Sequence, residues 1–394
     1  MYKRKLLNLI LILWKKIPLL DRWILGEILP PMLFAITAFT VISLSVGVMF
    51  DLIRKIVEFG LPFQIAIKVL ILRLPSFLVL SFPMSVLLST LLAYGRLSSN
   101  SELIALRSLG IKTSRVIAPA MVLAIFMTGL TFYFNDNLVP KSNRLSEITL
   151  RSAIGKSLSA EEGKDNIMFS RYGSRYDPNT KQPTKTNTFL THIFYSALYE
   201  NKTMKGVTVI DFSRVGNQQI LKAKSGIYDE KNSVWEFNDG NIVSTDANSN
   251  TTIINFEKYV YPFGEGPIEI AKVPKDANDM TLSQAKAAEK LYIKSGNIKE
   301  IRRIKVRIQE KFTLPCACIV FGLIGSSLGS KTNLRSSRSQ GFGLSVILIL
   351  VYYVLSFVFS SFGVKGTLSP LIATWSPVMI SLIGGTYLLN KASE

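Results

Sequence analysis

LPSFLVLSFPMSVLLSTLLAY, residues 74–94, carries no Asp, Glu, Lys, Arg or His over 21 positions. A helix rises about 1.5 Å per residue, so about 20 residues cross a hydrocarbon layer of about 30 Å. The run therefore reads as a membrane-spanning helix. Five further windows share the property: Ile28–Phe50, Val116–Phe134, Phe312–Ser330, Gly341–Val364 and Gly366–Asn390, and the six range from 19 to 25 residues. The fold class predicted is an α-helical membrane protein with six transmembrane helices.

Between the third and fourth windows the composition becomes polar and mixed. This divides the chain into residues 1–134 with helices 1–3, an inserted domain over 135–311, and residues 312–394 with helices 4–6. Within the insertion the hydrophobic period shortens. TNTFLTHIFYSALYE (186–200), GVTVIDF (206–212), SVWEFNDGNIVS (233–244) and TTIINFEKYVYPF (251–263) are β-branched, aromatic and partly alternating. Asp239-Gly240 and Glu230-Lys231-Asn232 read as turns between them. The insertion is thus expected to be all-β, a sandwich or jelly-roll-like fold, with a connecting helix over 281–296 stopped by Gly296. A sandwich of this kind has room for an acyl chain between its sheets, or is simply structural; composition does not choose.

Lys and Arg collect on one side of the expected membrane. Lys3, Arg4, Lys5, Lys15, Lys16 and Arg22 precede helix 1; Arg96, Arg107, Lys112 and Arg115 lie between helices 2 and 3; Lys331, Arg335 and Arg338 lie between helices 4 and 5. With six crossings all three groups fall on one face, assigned to the cytoplasm with both termini, which leaves the large domain in the periplasm. The net charge of +19 belongs to these flanks, where anionic headgroups attract basic residues, so no nucleic-acid partner is read from it. The opening MYKRKLLNLILILW resembles a signal peptide but lacks a small-residue cleavage site, and reads as an amphipathic helix on the inner surface.

The chemistry of a self-sufficient enzyme is absent from the pattern. Cys316 and Cys318 lie inside an apolar window and read as packing, and a single histidine, His192, excludes a His-rich metal site. GSSLGSKT (325–332) approaches the phosphate-loop pattern but has Ser330 where the second glycine belongs, and it follows an apolar helix instead of a strand. No catalytic set, metal or bound cofactor is expected, so active transport requires ATP bound by a partner.

SSNSELIALRSLGIKTSR (98–115) is longer than a tight connection between two spans needs. Ser99-Asn100-Ser101-Glu102 fits a capping box, Leu103, Leu106 and Leu109 recur every three residues, Arg107 suits a last turn and Gly110 a helix stop. A self-contained helix over 99–110 is expected, resting on lipid or, as its length and defined start favour, seated in a groove of a soluble partner.

The stretch FPMSVLLSTLLAYGRLSSNSELIALRSLGIK resembles the second and coupling helices of the lipopolysaccharide-export permeases, the paired F and G subunits of the Lpt exporter. The resemblance continues in order through NDNLVPKSNR (135–144), QEKFTLPCACIVFGLIGSSLG (309–329), RSQGFGLSVILILVYYVL (338–355) and LSPLIATWSPVMISLIGGTYLL (368–389). It implies a multi-pass protein of the bacterial inner membrane, a permease subunit of an ATP-binding-cassette exporter that extracts lipopolysaccharide or a related glycolipid. The implied partners are a cytoplasmic ABC ATPase dimer, a second permease chain in a homodimer or an F/G-type heterodimer, and periplasmic jelly-roll bridge proteins. By position, Glu102, Leu103, Leu106, Arg107 and Gly110 are the ATPase-coupling residues, with Glu102 also explicable as a helix cap. Such permeases often carry a basic residue near the outer end of helix 1; here Arg54 and Lys55 follow the apolar run, beside Asp51 and Glu58. With Lys68 and Arg73 at the start of helix 2 they are candidate lipid-phosphate contacts or, equally, headgroup anchors. A Pro-Asn pair common in helix 6 is Pro377-Val378 here. The rival reading is a mechanotransmission or scaffold protein coupled to a cytoplasmic ATPase that moves no lipid itself.

Overall fold

A computed structural model of the chain describes residues 18–153, 164–177, 182–183, 189–230, 232–246, 250–272, 279–330 and 338–393. The basic apolar segment 1–14, Lys15, Lys16, Lys231, Lys331, Thr332 and Arg335 lie outside these residues. Six helices are long and apolar enough to span a membrane: Leu19–Phe59, Phe63–Ser99, Thr113–Leu150, Ile298–Gly329, Gly341–Lys365 and Pro370–Lys391, spans 1 to 6. Each contains all or most of one charge-free window, and spans 1 to 4 extend several residues beyond it. The contacts group the chain into two compact units. One holds most of the spans; the other comprises Arg144–Arg307 and the segment Gly60–Val69.

In the span unit, span 4 is the most enclosed, with 67% of its apolar window buried against 17% for span 5. Small residues explain why. A Cβ on Gly325 would overlap Thr90 Oγ1 and stand 2.8 Å from the Leu87 carbonyl oxygen; one on Gly329 would stand 2.9 Å from the Leu91 carbonyl oxygen. One on Gly322 would meet Ala124 Cβ at 2.7 Å. Span 4 therefore lies directly against the backbone of span 2 and close to span 3, as small-residue seams allow where lipid supplies no hydrophobic drive. The glycines of the phosphate-loop lookalike are thus a helix-packing seam, with Ser326, Ser327 and Ser330 buried beside them.

Several buried polar groups in this unit bond within it, as an apolar surround favours. Thr40 Oγ1 donates to Ser81 Oγ at 3.0 Å, joining spans 1 and 2. Span 3 contains a π-helical turn, Phe134–Leu138, where the wider backbone ring reorganises carbonyl bonding. The Asn135 carbonyl there accepts from the buried Lys311 ammonium at 3.1 Å. Cys316 and Cys318 are free thiols; Cys318 Sγ is 3.5 Å from Thr131 Oγ1.

The strands of the inserted unit are all paired antiparallel. Strands β1 (Lys164–Gly173), β4 (Phe189–Glu200), β5 (Thr203–Asp211), β6 (Gln218–Asp229), β7 (Val234–Thr245) and β8 (Thr251–Tyr261) form one sheet in the order β1-β4-β5-β6-β7-β8. The short β2 (Tyr176–Asp177) and β3 (Gln182–Pro183) pair separately. Asp239-Gly240, expected as a turn, lies in mid-strand: Asn238 pairs with Lys258 and Gly240 with Phe256. Asp239 has φ 53°, Gly206 of β5 φ 61° and Asn166 of β1 φ 52°. The ladder places these three in one row across the sheet, between the Ile167–Ser196–Val207–Ala223–Gly240 row and the Asp165–Leu198–Lys205–Ser225–Asn238 row. A left-handed residue in a strand breaks the alternation of side chains. Tyr199, Met204 and Phe237 beyond the row therefore share one core with Phe194, Val209, Leu221 and Ile242 before it. Trp235 closes that core, donating from Nε1 to the Gly264 carbonyl at 2.8 Å.

The connecting helix forms over Leu282–Ser295. Its Thr281 accepts from Gln284 N–H while Gln284 Oε1 accepts from Thr281 N–H, a full capping box, and Gly296 ends it at φ 70°.

Candidate functional site

Between spans 2 and 3 stands a short helix, Glu102–Ser108. Span 2 runs unbroken to Ser99, whose Oγ donates to the Arg96 carbonyl at 2.9 Å, so the expected capping box at Ser99 does not form. The chain breaks instead at Ser101, left-handed at φ 63°. Asn100 Nδ2 donates to Glu102 Oε1 at 3.0 Å and holds the carboxylate on the first turn, where it favours the helix dipole. At the far end Gly110 (φ 80°) closes the helix: its N–H donates to the Arg107 carbonyl at 2.9 Å and Ile111 N–H to the Leu106 carbonyl at 3.2 Å. This is a Schellman closure, which needs a left-handed residue and so a glycine.

The helix has an anchored face and an open one. Leu103 is 4% exposed among Ile24, Ile28, Tyr94, Leu97, Val116 and Ile117, with Leu106 and Ile111 packed against that cluster. Ile104 is 40% and Leu109 78% exposed. Residues three apart drift by about 60° on a helix, so the Leu103, Leu106, Leu109 series does not share one face: the first two turn inward and Leu109 outward. Ile104, which the three-residue spacing does not single out, and Leu109, which that spacing groups with Leu103 and Leu106, supply the apolar part of the open surface. Glu102 is half-buried, as is Arg107, whose buried Nη2 makes no hydrogen bond.

The candidate lipid-contact residues are spread along two helices. Arg54 is exposed and Lys55 bonds Asp51 Oδ2 at 2.7 Å, both on the helix Phe50–Phe59 that continues span 1 past a π-helical turn at Ser45–Met49. Lys68 is exposed and Arg73 half-buried, both on the first turns of span 2.

In the β unit, the single histidine belongs to a polar network at the rim of the aromatic core. His192 Nε2 lies 3.3 Å from Asp211 Oδ1, and Tyr261 donates to Asp211 Oδ2 at 3.0 Å. The Ser213 N–H donates to Asp211 Oδ1 at 2.7 Å. Burial pulls the Asp211 carboxyl upward, but the bonds from His192 and Ser213 outweigh it and hold the group well below the usual carboxylate range. Burial, and then the Asp211 charge, push the Tyr261 phenol above its ordinary value. No group of three or more His, Cys, Asp or Glu with metal-holding geometry occurs among the described residues.

Six apolar spans split three and three around an antiparallel β unit, with an anchored, half-open helix between spans 2 and 3, define a polytopic membrane protein of the transport-permease type. Residues 22–391 match the family described as lipopolysaccharide export system permease LptF/LptG, and the chain belongs to that family. It is a multi-pass inner-membrane protein of a permease family, which is not a family of enzymes. It is also similar to the protein RP871 of Rickettsia prowazekii (strain Madrid E), 23% identical over 383 residues that cover 93% of this chain and 97% of the relative.

Proposed function

We propose that the chain is the membrane subunit of an ATP-driven exporter that lifts lipopolysaccharide, or a glycolipid of the same class, out of the inner membrane. A cytoplasmic ABC ATPase dimer grips the helix Glu102–Ser108, a second permease chain, identical or F/G-related, completes the conduit, and the β unit passes the lipid to a periplasmic jelly-roll bridge. The Lys and Arg collected on the flanks support an orientation with the termini and the short helix in the cytoplasm and the β unit in the periplasm. ATP is bound by the motor and not by this chain. Arg54, Lys55, Lys68 and Arg73 are the proposed contacts to lipid phosphates.

The observation that carries this reading is the short helix itself. Its inner face is locked into the spans by Leu103, while Ile104 and Leu109 are left in the open, in the manner of helix-in-groove recognition. Membership of the permease family supplies the cargo class.

Glu102→Arg tests it. The variant is expected to insert and fold normally but to lose ATPase co-purification and ATP-dependent release of labelled lipopolysaccharide from proteoliposomes. Normal co-purification and release in that variant contradict the coupling role. Retained coupling with no lipid extracted by the wild-type complex favours a mechanical scaffold instead.

A further inference from the structure

Span 1 is tied to both arms of the hairpin that carries the short helix. Near the start of span 1, Asp21 accepts a two-pronged bond from Arg115 of span 3, Nη1 to Oδ1 at 2.5 Å and Nη2 to Oδ2 at 2.9 Å. Six residues on, Glu27 pairs with Arg96 of span 2. Ile24 and Ile28 lie angularly between the two carboxylates on the helix, and both are fully buried against Tyr94, Leu97, Leu103, Val116 and Ile117. The hairpin arms are joined to each other by Tyr94, whose hydroxyl donates to the Val116 carbonyl at 2.8 Å. Arg96 stands six residues before the short helix and Arg115 seven residues after it. Leu103, the inner anchor of that helix, belongs to the same apolar cluster that the two ion pairs bracket.

We propose that Asp21, Glu27, Arg96 and Arg115 are positioning residues that make the short helix and span 1 one rigid lever, so that displacement of the helix swings span 1. The pairs hold orientation: a single apolar contact line permits rolling of one helix on another, whereas two ionic links on opposite sides of that line do not. Arg115 is two-pronged, which adds directional constraint. The assignment rests on the reading that a motor grips the short helix.

The test uses the reconstituted complex with its ATPase and three variants: Glu27→Arg, Arg96→Glu, and the two together. Each single change sets like charges against each other; the double restores attraction with reversed polarity. Three quantities are read: co-purified ATPase, ATP hydrolysis, and lipopolysaccharide released per ATP hydrolysed. The singles are expected to keep the ATPase bound and hydrolysing while release per ATP falls at least about tenfold, and the swapped double to recover to within about twofold of wild type, the signature of direct coupling between two residues. Spin labels at Leu19→Cys and Ser99→Cys, with Cys316 and Cys318 replaced by alanine, read the lever directly. Their separation should stay fixed between nucleotide-free and ATP-trapped states in the wild-type background and widen or spread in the singles. Unchanged release in folded singles, a double as defective as the singles, or a Leu19–Ser99 separation that changes with nucleotide in the wild type overturns the lever. Failure of the wild-type chain to hold any ATPase overturns the underlying reading instead.

Discussion

Gly325 has no side chain, and span 4 can lie against the backbone of span 2 for that reason. Gly325→Val must push Thr90 and the Leu87–Leu91 turn aside, an overpacking that costs about 1–3 kcal/mol or more in a rigid seam. The variant should show a lowered thermal midpoint in detergent, while Gly343→Ala, with nothing within 4 Å of the new Cβ, should leave it unchanged. Asp211 sets a second residue-scale expectation. Its folded-state pKa lies below its unfolded one, so its contribution is complete above the unfolded value of about 4 and fades as pH falls below that. Asp211→Asn should therefore destabilise the β unit by about 1–3 kcal/mol at pH 7 and progressively less below about pH 4. Denaturant titration of the full chain, read by Trp235 with Trp14, Trp23 and Trp375 replaced by phenylalanine, measures both. The glycines at 322, 325 and 329 stand out in the sequence, but linear spacing cannot distinguish a seam from a phosphate loop; only the partner helix does. The Asp211–His192–Tyr261 network was not legible at all, because its members come from three strands up to 69 positions apart in the chain.

At the scale of elements, the helix Glu102–Ser108 separates anchoring from recognition. Leu103→Ala removes a side chain from a closed cluster and should cost about 2–4 kcal/mol. Leu109→Ser alters only an exposed side chain, so stability should hold within about 0.5 kcal/mol, while affinity for the ATPase falls sharply. A thermal melt and a binding titration on the same two proteins separate these outcomes; loss of binding in neither variant contradicts the docking role. Sequence period gave this helix its existence and its glycine stop. It misplaced the start, because Ser99 of S-x-x-E ends span 2 and the short helix begins at Glu102, whereas Thr281-x-x-Gln284 forms a full capping box on the connecting helix. In the sheet, β-branched runs located β4, β5, β7 and β8 but did not pick out β1 and β6, and Asp239-Gly240 reads locally as a hairpin turn. What keeps it in mid-strand is pairing on both sides by β6 and β8, information that no local window holds.

For the whole molecule, the six spans and the inserted β unit were legible because the absence of charge over about 20 residues is a requirement of the bilayer and not a statistical preference. The site was less so: its inner and outer faces depend on where one short helix meets three spans. The central claim is that this chain offers a motor a fixed handle. The most direct measurement is site-specific photocrosslinking from residues 109 and 103 in membranes containing the full complex, with products identified by mass spectrometry. A photoreactive residue at Leu109 should capture an ATP-binding-cassette ATPase, and one at Leu103 should capture only segments of this chain. Crosslinks from Leu109 to lipid or to this chain alone, with the ATPase never among the products, would contradict it.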